Sequence, residues 1–117
     1  MFALLKRLVG SQAPAAVLLS PAEFEAGLKH TAKAQLLDVR FPHEYSAGHL
    51  KQARNCNVLG PDFEAQLKAL DPQRPVFVYC RSGRRSQTAA KRLKRAGFHE
   101  IYDLQGGYLA WQQYQQN

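Results

Sequence analysis

Five short segments with strand character, at 17–19, 36–39, 55–58, 76–80 and 101–104, alternate with stretches that carry helix caps and helical spacing. In a chain of 117 residues this alternation predicts an α/β domain on a mainly parallel sheet, because parallel neighbours need a crossover helix between them. The length suits one ordinary core and is too short for two. A helix is expected at 21–30, where Ser20, Pro21 and Glu23 supply a cap, a first-turn proline and a capping-box acid. A second runs from Pro42 through Tyr45 until Gly48 stops it, and a third spans 62–70 ahead of Asp71-Pro72. The fourth follows Cys80 and ends at Gly97; Ala89, Leu93 and Ala96, with Ala90 beside them, form its apolar stripe, and Lys91, Lys94 and Arg95 lie across from it. The last begins after Gly106-Gly107 and carries Leu109, Trp111 and Tyr114.

Residues 1–16 read as an N-terminal extension, and 17–117 as one folded domain with no repeat or linker. The apolar start is broken by Gly10, Ser11, Gln12 and Pro14, which makes a poor signal peptide. A short amphipathic helix over 2–9 is the plain expectation, and a weak surface anchor the more speculative one. No run reaches the roughly twenty apolar residues of a membrane span. Two cysteines, Cys56 and Cys80, are too few for a secreted disulfide scaffold, so reduced thiols and a cytoplasmic location are expected. No His/Cys cluster has metal-ligand spacing and no glycine-rich nucleotide loop is present, so neither metal nor cofactor is expected.

Charge is uneven along the chain. The formal net charge is +7, yet seven of the sixteen Lys and Arg residues lie between Arg81 and Arg95, and no acid occurs between Asp71 and Glu100. Such a patch attracts anions. Nucleic acid is disfavoured as the partner, since no helix-turn-helix, zinc-ligand or RNA-recognition pattern accompanies it.

The segment VFVYCRSGRRSQTAA carries the chemistry, because a buried strand passes straight into a helix through Cys80, Arg81, Ser82, Gly83, Arg84, Arg85 and Ser86. Such a turn lies at the carboxyl edge of a parallel sheet, where these folds place ligands. Three arginines crowd a helix N-terminus that already carries about half a positive charge. A Cys80 thiolate, and an anion held by the free loop amides, are the natural offsets. Gly83 allows the backbone to curl so that those amides converge. A buried structural cysteine is the bland reading of Cys80; it suits Cys56 better, which is expected to pack in the sheet.

These residues resemble the rhodanese family over nearly the whole chain after Val17. LLDVRFPHEYSAGHLKQARN is similar to the family's first signature at Asp38, Arg40, Glu44, Tyr45, Gly48, His49 and Asn55. CRSGRRS resembles its sulfurtransferase loop at Cys80, Arg81, Gly83 and Arg85, and LQGGYLAW resembles its closing turn at Gly106, Gly107 and Trp111. Asn57 and Cys56 depart from the pattern, which commonly has proline and a branched aliphatic there. The resemblance implies a rhodanese-like three-layer α/β fold, with a parallel sheet of about five strands flanked by helices. It implies a persulfide on Cys80, thiosulfate or a related sulfane-sulfur donor, and a cyanide or thiol acceptor. It also implies that Arg81 and Arg85 bind the donor's oxyanion end and that the loop amides stabilise the persulfide.

Asp38, Arg40, Glu44 and His49 are expected to support the site from the second strand end, more as a structural cluster than as catalysts. His43 and His99 are expected to be exposed. Two rivals remain. A cysteine-dependent phosphatase places five residues between cysteine and arginine, whereas four separate Cys80 from Arg85. A persulfide carrier would hand the same sulfur to a protein partner, docking it on Lys91, Lys94 and Arg95.

Overall fold

The computed structural model describes residues 14–117, so the helix expected over 2–9 lies outside the described residues. Strands β1 (Val17–Leu19), β2 (Gln35–Asp38), β3 (Arg54–Asn55), β4 (Val76–Tyr79) and β5 (Ile101–Leu104) form one sheet in the order β1-β5-β4-β2-β3. Every pairing is parallel. The crossovers are made by α1 (Pro21–His30), α2 (Pro42–Ala47), α3 (Phe63–Leu67) and α4 (Arg84–Arg95), and α5 (Gly107–Gln116) closes the chain.

Alternation along β4 sorts the core into two layers, because successive side chains point to opposite faces. Val76, Val78 and Cys80 pack with Ile101 beneath Ala89, Ala90 and Leu93 of α4 and Phe63 and Leu67 of α3. Phe77 and Tyr79 go to the other face, with Phe24 of α1 and Tyr108 and Trp111 of α5. Both faces of the central strand are thus covered, which is why VFVYC reads as an unbroken apolar run. The three-layer α/β fold expected from the alternation and the resemblance is therefore present.

The helix caps act as their residues predict at α1, where Ser20 Oγ accepts from the Glu23 amide and Glu23 Oε1 accepts from the Ser20 amide. Several boundaries differ from expectation. The third strand, expected over 55–58, pairs only at Arg54–Asn55. Beyond it Asn57 Oδ1 accepts from the Leu59 amide and turns the chain, although the Cys56 and Val58 amides still bond to Asp38 and Val39. Cys56 packs in the α4-side core just past the strand rather than within it. The helix expected over 62–70 stops at Leu67, because the next amides bond three residues back instead of four. Helix α2 runs on to Ala47 before Gly48 caps it. Ala96 is exposed, so the buried stripe of α4 is Ser86, Ala89, Ala90 and Leu93.

Candidate active site

Cys80 is the first residue past β4 and stands at the carboxyl edge of the sheet. The chain then turns through Gly83, whose φ of +109° is left-handed and open to glycine at little cost, into α4 at Arg84. That turn brings the Gly83 amide back to donate to Cys80 Sγ at 3.1 Å. Ser86, buried in the first turn of α4, places its Oγ 3.4 Å from the same sulfur and 3.3 Å from the Gly83 carbonyl oxygen. The sulfur is deeper than the loop sequence suggests. Cys80 is only 1% exposed, because the side chain hangs from the core face of β4 while its own loop closes over it.

The three arginines do not share one role. Arg81 and Arg84 are exposed at the mouth of the turn, along with Ser82. Arg85 instead spends both guanidinium arms on Glu44, at 2.7 and 3.0 Å, and lies over the Phe41 ring. This bidentate bond holds the Glu44 carboxyl down at about 2. The same bond is the largest cause that raises the Arg85 guanidinium above its ordinary value. The negative partner that the crowded cations require is thus partly supplied by α2.

The cluster expected from Asp38, Arg40 and Glu44 divides into two pairs. Asp38, fully buried, takes Arg40 in a bidentate bond with Nε and Nη2 at 3.1 and 2.7 Å. Arg40 also donates to the Gly48 carbonyl oxygen and lies 4.3 Å from the Tyr108 ring centre. Asn55 donates its amide to the carbonyl oxygens of Asp38 and Arg40, which fixes the β2 end. Glu44 belongs to the Cys80 loop through Arg85. His49 is exposed, stacked on Tyr45, with Nδ1 2.8 Å from the Tyr45 carbonyl oxygen, so its contacts go to its own helix. His43 and His99 are exposed.

Two features of the site were not anticipated from the sequence. The first is the start of α5, where the Tyr108 and Leu109 amides donate to the carbonyl oxygens of Cys80 and Arg81 at 2.8 and 3.1 Å. Gly107 allows this approach, since a Cβ there would lie 2.6 Å from the Cys80 oxygen and 2.5 Å from the Arg81 oxygen. The glycine pair was visible in the sequence, but the partner of its close approach was not. The second is Asp103 on β5, 3% exposed, whose Oδ1 has no hydrogen-bond partner among the described residues. Burial raises its carboxyl to about 6. A carboxylate at a core-facing position of the apolar run IYDL was the available signal.

A model of the rhodanese-like domain matches residues 20–114. The chain is 39% identical over 93 residues to the uncharacterized protein YqhL of Bacillus subtilis, covering 80% of this chain and 70% of that protein. It is 38% identical over 88 residues to the thiosulfate sulfurtransferase GlpE of Stutzerimonas stutzeri, covering 74% and 78%. Among solved structures, the polysulfide-sulfur transferase homodimer of Wolinella succinogenes superposes with a TM-score of 0.71 at 30% identity, covering 97% of this chain and 85% of that one. With the five-stranded parallel sheet and the turn around Cys80 already in place, these matches show that the chain belongs to the rhodanese-like domain family.

Proposed function

We propose that the protein is a sulfurtransferase that takes a sulfane sulfur from thiosulfate or a similar donor onto Cys80 and passes it to a thiophilic acceptor. The observation that carries this reading is the 3.1 Å approach of the Gly83 amide to the Cys80 sulfur at the mouth of a cationic turn. Relatives named for thiosulfate and polysulfide sulfur transfer support it.

In the first half-reaction the Cys80 thiolate attacks the outer sulfur of thiosulfate. The new S–S bond forms as the old one breaks, and sulfite departs with the bonding pair. Sulfite is a weakly basic leaving group, so the step needs no general acid. Arg81 and Arg84, exposed at the mouth of the turn, would attract the sulfonate end, while Arg85 is held by Glu44. In the second half-reaction cyanide or a thiol attacks the outer persulfide sulfur, and the Cys80 thiolate leaves, as in thiol–disulfide exchange. An attacking sulfur only 1% exposed favours a donor that presents one terminal atom. Both cysteines are free, and a reducing compartment such as the cytoplasm would keep them so.

Intact mass after thiosulfate treatment tests the proposal: one added sulfur is expected on the wild type, released by cyanide. Absence of the adduct with every sulfane donor tried would reject it. A protein acceptor is the second reading, favoured by the exposed Lys91, Lys94 and Arg95 of α4. If so, replacing those three with alanine lowers transfer to a protein acceptor and spares turnover with cyanide.

The closing turn gives a further prediction. Gly107→Ala forces a Cβ against two backbone oxygens that cannot rotate away, at a φ of +61°. The loop must shift by several tenths of an ångström, and kcat/KM for sulfur transfer is expected to fall up to about 10²-fold. Steady-state kinetics at a temperature where the variant is folded checks it; unchanged kcat/KM would show that the α5 contact does not position the loop.

A further inference from the structure

The outer edge of the Arg85 fork is already occupied. Its two Nη atoms donate to the two Glu44 oxygens at 2.7 and 3.0 Å, and the two side chains are only 20% and 17% exposed. The Phe41 ring lies 5.3 Å from Arg85 Cζ, and the Phe41 amide donates to Glu44 Oε1 at 2.9 Å. Glu44 is thus fixed at the first turn of α2, and with its carboxyl held at about 2 it stays charged at any working pH. Arg81 and Arg84 are exposed, and among the described residues neither is paired with a carboxylate.

A tetrahedral oxyanion is gripped best by a guanidinium fork that meets two of its oxygens at once, together with loop amides that converge on it. Both are in short supply at this turn. The fork of Arg85 is turned to Glu44, and the Gly83 amide and Ser86 Oγ are turned to the Cys80 sulfur at 3.1 and 3.4 Å. What remains at the mouth is a pair of exposed cations, which attract anions without fixing their geometry. We propose that Glu44 is a positioning residue that sets donor specificity: by holding Arg85 it denies a guanidinium fork to sulfate-like anions and turns the site toward donors without an oxyanion head, the hydropersulfides R–S–SH. The proposal rests on the sulfurtransferase reading and names the donor class for that same site.

With such a donor the Cys80 thiolate attacks the outer sulfur, and the new S–S bond forms as the donor's own S–S bond breaks. The R–S thiolate leaves with the bonding pair, and the proton stays on the transferred sulfur. No oxyanion is released, so the step needs nothing from Arg85. Thiosulfate is still drawn in by Arg81 and Arg84, but it finds no fork for its sulfonate. The resemblance to the family assigns Arg85 to the donor's oxyanion end, and the bidentate bond to Glu44 stands against that role.

Glu44→Gln separates the roles, because glutamine keeps an acceptor for the Phe41 amide and gives up the charge that holds Arg85. Inorganic sulfate carries no sulfane sulfur, so its protection of Cys80 against iodoacetamide reads oxyanion binding whether or not sulfur is transferred. Sulfate is expected to bind Glu44→Gln about five- to tenfold more tightly than wild type. KM for thiosulfate is expected to fall by a similar factor, where a merely structural role for Glu44 would raise it. The ratio of kcat/KM for thiosulfate to that for cysteine hydropersulfide rises by about fivefold or more. Sulfate binding unchanged or weaker in the variant would overturn the proposal, and so would a ratio that does not rise. No transfer from either donor by the wild type would reject the sulfurtransferase reading, and the sulfate result would still decide whether Glu44 withholds Arg85. Glu44→Gln combined with Arg85→Met removes both charges, and its sulfate affinity is expected to lie within about twofold of wild type. That comparison holds even where Glu44→Gln alone does not fold. A loss of about fivefold or more would mean that Arg85 grips the anion in spite of Glu44, and an equal gain that Glu44 acts on the other arginines; either overturns the proposal.

Discussion

Cys80→Ser is expected to lower sulfur transfer by about 10⁴-fold or more while leaving the fold intact. The serine oxygen is smaller than sulfur and can still accept from the Gly83 amide and meet Ser86, so the loop has no reason to move. What disappears is the chemistry. An alcohol is scarcely ionised near neutral pH and forms no persulfide, so neither half-reaction has a nucleophile. Cys56 is not a substitute, because burial pushes its thiol up and no arginine-rich turn follows it. The measurements are steady-state turnover and intact mass after thiosulfate. Turnover within tenfold of wild type, or an added sulfur that persists on Cys56, would remove Cys80 from its assigned role.

Arg40→Ala is expected to destabilise the fold by about 3–5 kcal/mol. The substitution strips a fully buried Asp38 of its bidentate partner and leaves only the amide of residue 40 to bond Oδ1. It also removes the donor to the Gly48 oxygen and the cation over the Tyr108 ring. The damage reaches the site, since the Tyr108 amide holds the Cys80 carbonyl oxygen. Urea unfolding at pH 7 checks the magnitude. Removing both charges together, as Asp38→Leu with Arg40→Met, is expected to recover much of the loss, because no uncompensated charge then remains in the core. A double variant less stable than Arg40→Ala would mean that the pair's remaining contacts, not the stranded carboxylate, set the cost.

The order of elements was readable because it is written in local rules. Ser20, Pro21 and Glu23 cap α1 through neighbours three residues away, and Gly83 turns the loop by its own φ. The apolar run at β4 announces a strand covered on both faces. Boundaries were readable only in part, since the ends of β3 and α3 depend on where Asn57 and the amides after Leu67 find partners.

At the site, the sequence by itself determined that a cysteine would stand at a strand-to-helix turn among arginines, because the four loop residues Cys80 to Gly83 and the strand before them specify that turn locally. Only the tertiary structure decided which arginine keeps its charge free. Glu44 lies 41 positions from Arg85, and no local pattern says that they meet. The same holds for Gly107 under the Cys80 carbonyl and for Asp103 opposite Val78 in the sheet. Strand order puts β5 beside β4, and that adjacency comes from burying both faces of one sheet, a sum over the whole chain that no single segment encodes.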